Sequence, residues 1–229
     1  MTFSIVARCP RTGQFGVGAV TGMVGVGKLA SHARSLTGAV ATQAFTNPYY
    51  GIDGLRLLAD GLSAPEALEH MLACDPRREK RQVGIVDSHG RVAAFTGSLC
   101  AEWAGHRMGI GYTTQGNRLV GPATLDVTAQ AFEDNADKDL AMRILIALEA
   151  GQATGADRQG AESGSIYVVD QEEYPLWDMR VDNSRRPIDE MRELYRVFAE
   201  ELIPQMEKLP TRDDPEGQLY HGQGQRMAG

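Results

Sequence analysis

Short apolar runs at the start of the chain predict β-strands. Two of them, residues 3–8 and 15–21, flank a segment that contains Pro10 and Gly13, both turn formers, so they predict a β-hairpin. A third β run covers residues 37–45. Residues 47–51, Asn-Pro-Tyr-Tyr-Gly, have the composition of a turn or loop. The first fifth of the chain is therefore predicted to hold three β-strands, joined by a turn and a connector that begins Gly-rich.

Helical patterns follow, and strands then return. Asp53 is placed to cap a helix over residues 54–60, which Gly61 would end. Ser63 and Glu66 have the spacing of a capping box in front of a second helix, with apolar residues on one face. Residues 82–87 and 91–96 predict strands around a turn at 88–90, and residues 108–120 predict at least one more strand.

The second half of the chain repeats this grouping. Pro122 is predicted to begin a helix that reaches about residue 135, and Asp137 to cap another over residues 140–150, ended by Gly151. Strands are predicted over residues 165–170 and 177–181. A final amphipathic helix is predicted from about residue 187 to 202.

This order of elements decides the fold class. A doubly wound parallel sheet needs strands and helices that alternate singly, whereas here they come in groups. The grouping predicts an α+β fold, a four-layer αββα sandwich of two mainly antiparallel sheets with paired helices outside. No linker-like segment interrupts residues 1–204, which predicts a single domain. The tail, residues 205–229, is rich in Gly, Gln and charge and is predicted to be poorly ordered.

The composition of the chain disfavours some classes of binding partner. The formal net charge of -7 argues against nucleic-acid binding, and the Lys/Arg clusters at residues 77–81 and 185–186 are short with acids close by. Cys9, Cys74 and Cys100 have no metal-like spacing and fit a reducing compartment. Arg8 and Arg11 interrupt the N-terminus before any signal-peptide core, and no apolar run approaches the roughly 20 residues of a membrane span. A cytoplasmic protein without a membrane partner is predicted, and pairing of two chains through a sheet edge or a helix, a homodimer, remains open.

Several chemistries are disfavoured by the motifs. Residues 22–28 fit the start of a phosphate-binding loop, but Leu29 stands where Ser or Thr must bind magnesium. The five histidines have no paired spacing, so neither a metal nor another cofactor is predicted. No serine-hydrolase elbow occurs, and nothing in the sequence indicates a low-pKa environment for Cys9 or Cys100 as a nucleophile.

Thr2 offers a chemistry of its own. If Met1 is removed, as a small second residue permits, Thr2 carries a nucleophilic hydroxyl and a free α-amine on neighbouring atoms. An α-amino group has a pKa of about 8, so near neutral pH part of it is unprotonated and can accept the hydroxyl proton during attack on a carbonyl. No separate histidine is then needed.

Several runs in the first 120 residues resemble the bacterial domain-of-unknown-function family 1028, which is grouped with the N-terminal nucleophile hydrolases. They are Thr2–Arg8, Gly38–Phe45, Asn47-Pro48, Tyr50-Gly51, Arg81–Asp87, Arg91–Gly97, Trp103–His106 and Gln115–Asn117. The resemblance implies an αββα fold with the first residue at the end of a central strand. The chain departs from the pattern at Thr21-Gly22, where Ser-Lys is expected, and at Cys9, where Asp is usual.

Candidate partners of Thr2 are mostly side-chain amides, because the oxyanion formed on acyl transfer needs fixed hydrogen-bond donors. Gln43 and Asn117 are the catalytic candidates; a buried structural amide and a turn residue are the respective alternatives. Candidates for substrate binding are Asn47, Gln115 and Ser163. Acids or hydroxyls in residues 157–165 are candidates to tune the amine, and Lys28 is a candidate for the positive charge that Gly22 lacks.

Two functions follow from this reading. In the first, the protein is an amidohydrolase in which Thr2 attacks a small amide after Met1 is removed. In the second, the same fold is a non-catalytic module that binds a small polar ligand in the same place. The state of Met1 distinguishes them first, since without a free α-amine Thr2 has no base.

Overall fold

The computed structural model describes residues 1–156 and 160–218. Within these ranges the strands are β1 Thr2–Arg8, β2 Phe15–Thr21, β3 Ser31–Arg34, β4 Gly38–Ala44, β5 Arg81–Asp87, β6 Val92–Thr96, β7 Gly105–Gly109, β8 Tyr112–Asn117, β9 Ser163–Val169 and β10 Pro175–Val181. The helices are α1 Tyr49–Ala59, α2 Ala64–Cys74, α3 Ala123–Asp134, α4 Leu140–Ala153, α5 Pro187–Val197 and α6 Ile203–Met206, with a π-helical turn over Phe198–Leu202.

The strands form two antiparallel sheets. The larger sheet has six strands in the order β10-β9-β2-β1-β8-β7, and the smaller has four in the order β3-β4-β5-β6. Strand β1 lies inside the larger sheet, paired with β2 on one side and β8 on the other. The predicted N-terminal hairpin is thus confirmed, and the start of β1 lies between two neighbouring strands.

Four layers result from the packing of these sheets. Helices α3, α4 and α5 cover the outer face of the larger sheet, where Phe3 and Ile5 pack on apolar side chains of α4. Helices α1 and α2 cover the smaller sheet around Val83 and Ile85. Between the sheets the core combines Ala39 and Ala41 with four valines and Phe15. The predicted α+β sandwich of two antiparallel sheets is confirmed.

The alternation of β1 places Thr2 between the sheets. Phe3 and Ile5 face the helices, whereas Val6 belongs to the core between the sheets and Ser4 contacts Gln43 of the opposite sheet. Side chains alternate with period two along a strand, so Thr2 shares the inter-sheet face with Ser4 and Val6. A polar residue at the start of this strand therefore points into the gap between the sheets.

Helix α1 corrects one sequence prediction. Residues 49–51 were expected in a turn or loop, but they form its first turn, and Asp53 pairs with Arg56 on the helix surface instead of capping it. Local composition misleads here for two reasons: the Asn47 side chain accepts a hydrogen bond from the Tyr49 backbone N–H (3.1 Å), and Tyr50 is buried. The predicted capping box of α2 is confirmed, since the Ser63 backbone N–H donates to Glu66 at 2.8 Å.

Helix α4 differs from its prediction at both ends. Its cap is Asp139 and not Asp137, because the Asp139 carboxylate accepts the Met142 backbone N–H at 3.0 Å. The helix also continues past Gly151, whose missing side chain lets it approach the Phe3 ring; a Cβ there would lie 2.8 Å from Phe3 Cε2. Strand β3 was not predicted, since its four residues carry no clear alternation.

Part of the predicted tail and of the predicted amine-tuning segment lies outside the described residues, namely 219–229 and 157–159. Residues 207–218 form turns after α6. Within the described ranges, none of the helices has both the length and the apolar character required to cross a bilayer.

Candidate active site

Thr2 lies beside a second threonine that the sequence analysis did not assign to the site. Thr2 is paired with Thr21 across β2, and their Oγ1 atoms are 2.9 Å apart. Thr21 Oγ1 also donates to the Met1 carbonyl at 2.6 Å. A hydroxyl has one proton, so Thr21 must accept in the other bond, and Thr2 donates to it. The hydroxyl of Thr2 is therefore held by the neighbouring strand.

Under Thr2 a buried polar network joins the two sheets. Ser4 Oγ donates to Gln43 Oε1 at 2.6 Å, and Gln115 Nε2 donates to Ser4 Oγ at 2.6 Å. Gln43 Nε2 donates to Gln82 Oε1 at 2.8 Å. All four side chains are at most 1% exposed. A buried polar group without a partner costs about 1–3 kcal/mol, so this network fixes the register between the sheets.

Gln82 is a central member that the sequence reasoning missed. Its Oε1 accepts from Gln43 and from Asn117 Nδ2 (2.9 Å), while its Nε2 donates to the Gly116 carbonyl at 2.8 Å. These partners fix which end of the amide is oxygen. Its position facing Gln43 on the paired strand was the available signal, because two polar residues opposite each other on buried strands indicate a bonded pair.

The two predicted catalytic amides occupy different positions. Gln43 lies inside the network: its Nε2 donates to Gln82, and makes longer bonds to the carbonyls of Gln115 (3.3 Å) and Thr2 (3.4 Å). Asn117 lies at the end of β8, directly opposite Thr2. Within the described residues its Nδ2 makes one hydrogen bond, to Gln82, which leaves its second N–H available at the cavity. Asn117 is thus the better-placed donor, and Gln43 supports the strand under Thr2.

A cavity of about 400 Å³ opens at Thr2. Its lining residues come from the strand ends and the loops around them: Met1, Thr2, Gly22, Met23, Ala44, Phe45, Lys80, Leu99, Cys100, Ala101, Asn117 and Arg118. Apolar side chains form one wall, and Lys80 and Arg118 contribute positive charge. No Asp or Glu occurs among these described lining residues. The Lys80 ammonium lies 5.9 Å from the centre of the Phe45 ring, a cation–π distance.

The backbone of this cavity is strained at two positions. Ala44 (φ 70°) and Arg118 (φ 55°) have left-handed conformations and both line the cavity. For a residue with a side chain this conformation costs about 1–2 kcal/mol. Such residues concentrate at functional sites, where the surrounding structure holds them. The Arg118 backbone N–H donates to the Ala101 carbonyl at 2.9 Å, which fixes this turn.

The remaining predicted residues lie around or away from this cavity. Gln115 is buried in the network, and Ser163 holds the segment after β2, donating to the Met23 carbonyl at 2.5 Å. Asn47 accepts the Tyr49 backbone N–H at the start of α1 and lines a separate cavity between α1 and α2. Lys28 is exposed on a short helical turn and is not among the residues that line the Thr2 cavity. The positive charge there comes from Lys80 and Arg118 instead.

Three further titratable groups, Cys100, His106 and Cys9, have pKa values shifted from their ordinary ones. Burial raises the pKa of the Cys100 thiol, so this residue on the cavity wall stays protonated at neutral pH. Burial, followed by the charge of Arg107, lowers the pKa of His106, whose Nδ1 lies 2.9 Å from Thr96 Oγ1. Cys9 follows the far end of β1, and hydrogen bonds from Thr12 outweigh the effect of burial and lower its pKa. Within the described residues, no cluster of three His, Cys, Asp or Glu side chains could hold a metal ion.

Comparison with known proteins places the chain in a family. Residues 2–191 match DUF1028, a family of unknown function, so the chain belongs to that family. The crystal structure of a DUF1028 protein from Silicibacter pomeroyi is similar over 99% of both chains, with a TM-score of 0.89 and 29% sequence identity.

A second solved structure is much more distant. Anbu, the ancestral beta-subunit from Yersinia bercovieri, has a TM-score of 0.41 and 10% identity over 91% of this chain and 98% of its own. A TM-score below 0.5 does not support an argument about fold or function. No curated protein matches the chain.

Proposed function

We propose that the protein is an amidohydrolase of the N-terminal nucleophile type, in which Thr2 attacks a small amide after Met1 is removed. The observation that carries the proposal is the position of Thr2: it begins an inner strand, its hydroxyl is held by Thr21, and it opens to a cavity. Removal of Met1 would place an α-amine in that cavity, two bonds from the carbon that carries the hydroxyl.

The reaction follows from these groups. Thr2 Oγ1 attacks the amide carbonyl carbon while the α-amine accepts the hydroxyl proton. The second N–H of Asn117 stabilises the oxyanion, and such a donor typically lowers the activation barrier by about 3 kcal/mol. The ammonium then donates its proton to the leaving nitrogen as the C–N bond breaks. Water hydrolyses the Thr2 ester by the same proton transfers and releases the acid.

Thr21 and Gln43 act as positioning residues in this scheme. When Met1 leaves, the Thr21 hydroxyl loses its carbonyl acceptor and can donate to the Thr2 oxygen or amine. Gln43 Nε2 donates a hydrogen bond to the Thr2 carbonyl at 3.4 Å. Gln115 supports the same network through Ser4, and Ser163 holds the segment next to the cavity through Met23.

One observation favours the second function, a non-catalytic module that binds a small polar ligand. The Met1 carbonyl accepts hydrogen bonds from Thr21 Oγ1 (2.6 Å) and from the Gly22 backbone N–H (3.2 Å), so a retained Met1 has a defined place in this fold. With Met1 attached, Thr2 has an amide nitrogen, which is not a base.

The two functions are separated by mass spectrometry of the untagged protein. The hydrolase predicts an intact mass without Met1 and covalent labelling by a β-lactone, which esterifies a nucleophilic hydroxyl as its ring opens. Labelling should disappear in Thr2→Ala and persist in Thr2→Ser. Thr12→Ala, in the β1–β2 turn at the other end of the strands, is the matched control and should label like the wild type. Retained Met1, or labelling that survives in Thr2→Ala, contradicts the hydrolase.

A further inference from the structure

The charge of the Thr2 cavity differs from that of the protein as a whole. The chain has a formal net charge of -7, yet the charged side chains among the described lining residues of this cavity are Lys80 and Arg118. The two come from different parts of the chain. Lys80 ends the segment before β5, and Arg118 follows directly after Asn117, the proposed oxyanion donor.

Among the described residues, many arginines pair with carboxylates, whereas Lys80 and Arg118 form no salt bridge. The neighbours of Lys80 provide the contrast: Arg81 pairs with Asp75 at 2.7 Å, and Arg78 with Glu79 at 3.5 Å. Lys80 lies instead against the Phe45 ring, which leaves its ammonium protons for another acceptor.

The position of Arg118 is set by its backbone. Its left-handed conformation (φ 55°) and the hydrogen bond from its N–H to the Ala101 carbonyl hold the residue at the edge of the cavity. Its neighbour Asn117 faces Thr2 across the strand pair. The backbone of Arg118 therefore has a fixed position relative to the nucleophile, and its exposed side chain extends from that point.

We propose that the amide bound at Thr2 carries an anionic group, which Arg118 and Lys80 bind while the apolar wall of Met23, Phe45 and Leu99 contacts the rest of the molecule. This inference rests on the proposed function and names its substrate class. A guanidinium binds a carboxylate or phosphate with two parallel hydrogen bonds, and an ammonium adds a point charge. An N-acyl amino acid is the simplest amide of this kind.

The test compares two labelling reagents that differ in charge and by one methyl group, β-malolactonate and its methyl ester. The wild type should be labelled faster by the anionic reagent. Because an exposed charge pair contributes up to about 1 kcal/mol, Arg118→Gln and Lys80→Gln should each lower the ratio of the two rates about fivefold. The control Arg78→Gln, on the same short turn as Lys80, should keep the wild-type ratio. In the wild type, 0.5 M salt should reduce the ratio, because the screening length is then only about 4 Å.

Binding experiments separate this inference from the proposed function. N-acetylglycine and its neutral amide, N-acetylglycinamide, are titrated into wild type and Arg118→Gln by calorimetry. If the acid binds more tightly than the neutral amide and this difference is lost in the variant, the anion site is supported, whether or not the lactones label Thr2. If neither lactone labels Thr2, the hydrolase alone is contradicted. Equal labelling by both lactones, unchanged in both variants, overturns the anion site while the hydrolase stands. Stronger competition by inorganic phosphate than by acetate assigns the anionic group to phosphate.

Discussion

The chemistry of the site depends on Thr2 and Thr21, which are far apart in the sequence and lie side by side on paired strands. Thr2 was predicted as a nucleophile from its position behind Met1, whereas Thr21 was noted only as a departure from the family pattern. The hairpin register pairs them, so the length of the β1–β2 turn, and not a local motif, makes Thr21 part of the site. Lys80 and Arg118 were not predicted as site residues for a different reason: each is an exposed charge in a loop-like segment, which by itself does not indicate a site.

At this scale we expect Thr21→Val to slow β-lactone labelling of Thr2 at least about tenfold, because the Thr2 hydroxyl loses its partner. Thr21→Ser should restore labelling. A positioning role also predicts a shifted midpoint in the pH dependence of the labelling rate. Thr128→Val, another buried threonine with a hydroxyl-to-carbonyl bond, is the control. Equal labelling rates and equal pH midpoints in Thr21→Val and Thr128→Val would remove Thr21 from the mechanism.

At the scale of elements, sequence patterns located most strands and helices but not their ends. Ser63 and Glu66 predicted the start of α2 correctly because both halves of the capping box are local. The start of α1 was placed too late, since burial of Tyr50 against the smaller sheet overrides the turn composition of residues 47–51. Tertiary contacts decide element ends wherever the local signals are weak.

Asp87 links two elements and gives the fold a predicted acid sensitivity. It accepts the backbone N–H of Ala64 at 3.0 Å, at the start of α2, and pairs with Arg91 at 2.7 Å beyond the β5–β6 turn. Burial acts to raise its pKa, but the hydrogen bonds from Ala64 and Arg91 outweigh it and lower the pKa. This lowered pKa stabilises the fold above about pH 4, and the stabilisation is lost as the pH falls through the folded-state pKa.

Asp87→Asn is therefore expected to lower the free energy of unfolding by about 1.5–3 kcal/mol at pH 6, since it weakens hydrogen bonds to a charged group. The difference from wild type should shrink as the pH falls below about 4, where the unfolded wild-type carboxylate takes up a proton, and should be lost as the pH passes the lowered folded-state pKa. Urea unfolding at pH 6 and pH 3 measures both values. Asp53→Asn, which breaks an exposed pair with Arg56, should change little at either pH. A difference that is constant with pH would show that the charge of Asp87 is not what stabilises the link.

At the scale of the whole molecule, the approach of the two sheets positions the site. Gly84 allows the two sheets to approach closely, and the Ser4, Gln43, Gln82 and Gln115 network crosses the gap under Thr2. The sequence predicted the sandwich from the order of its elements. It did not predict which residues meet across the gap, because the contacts join strands far apart in the chain and depend on the register of both sheets.

Gly84 tests this close approach. A Cβ at Gly84 would collide with the side chains of Gln115 and Thr113 on the opposite sheet. Overpacking of this kind costs about 1–3 kcal/mol, so Gly84→Ala should lower the free energy of unfolding by that amount and slow labelling of Thr2 by disturbing the network. Gly121→Ala, where a Cβ meets open space, should stay within about 0.5 kcal/mol of wild type. Equal stability of the two variants would contradict the packing described between the sheets.

Tandem mass spectrometry of the digested, untagged protein locates the β-lactone adduct and so tests Thr2 as the nucleophile. We expect an N-terminal peptide that begins with Thr2, lacks Met1, and carries the adduct on the Thr2 side-chain oxygen. An N-terminal peptide that still begins with Met1, or an adduct on Cys100 or another residue while Thr2 stays unmodified, would contradict it.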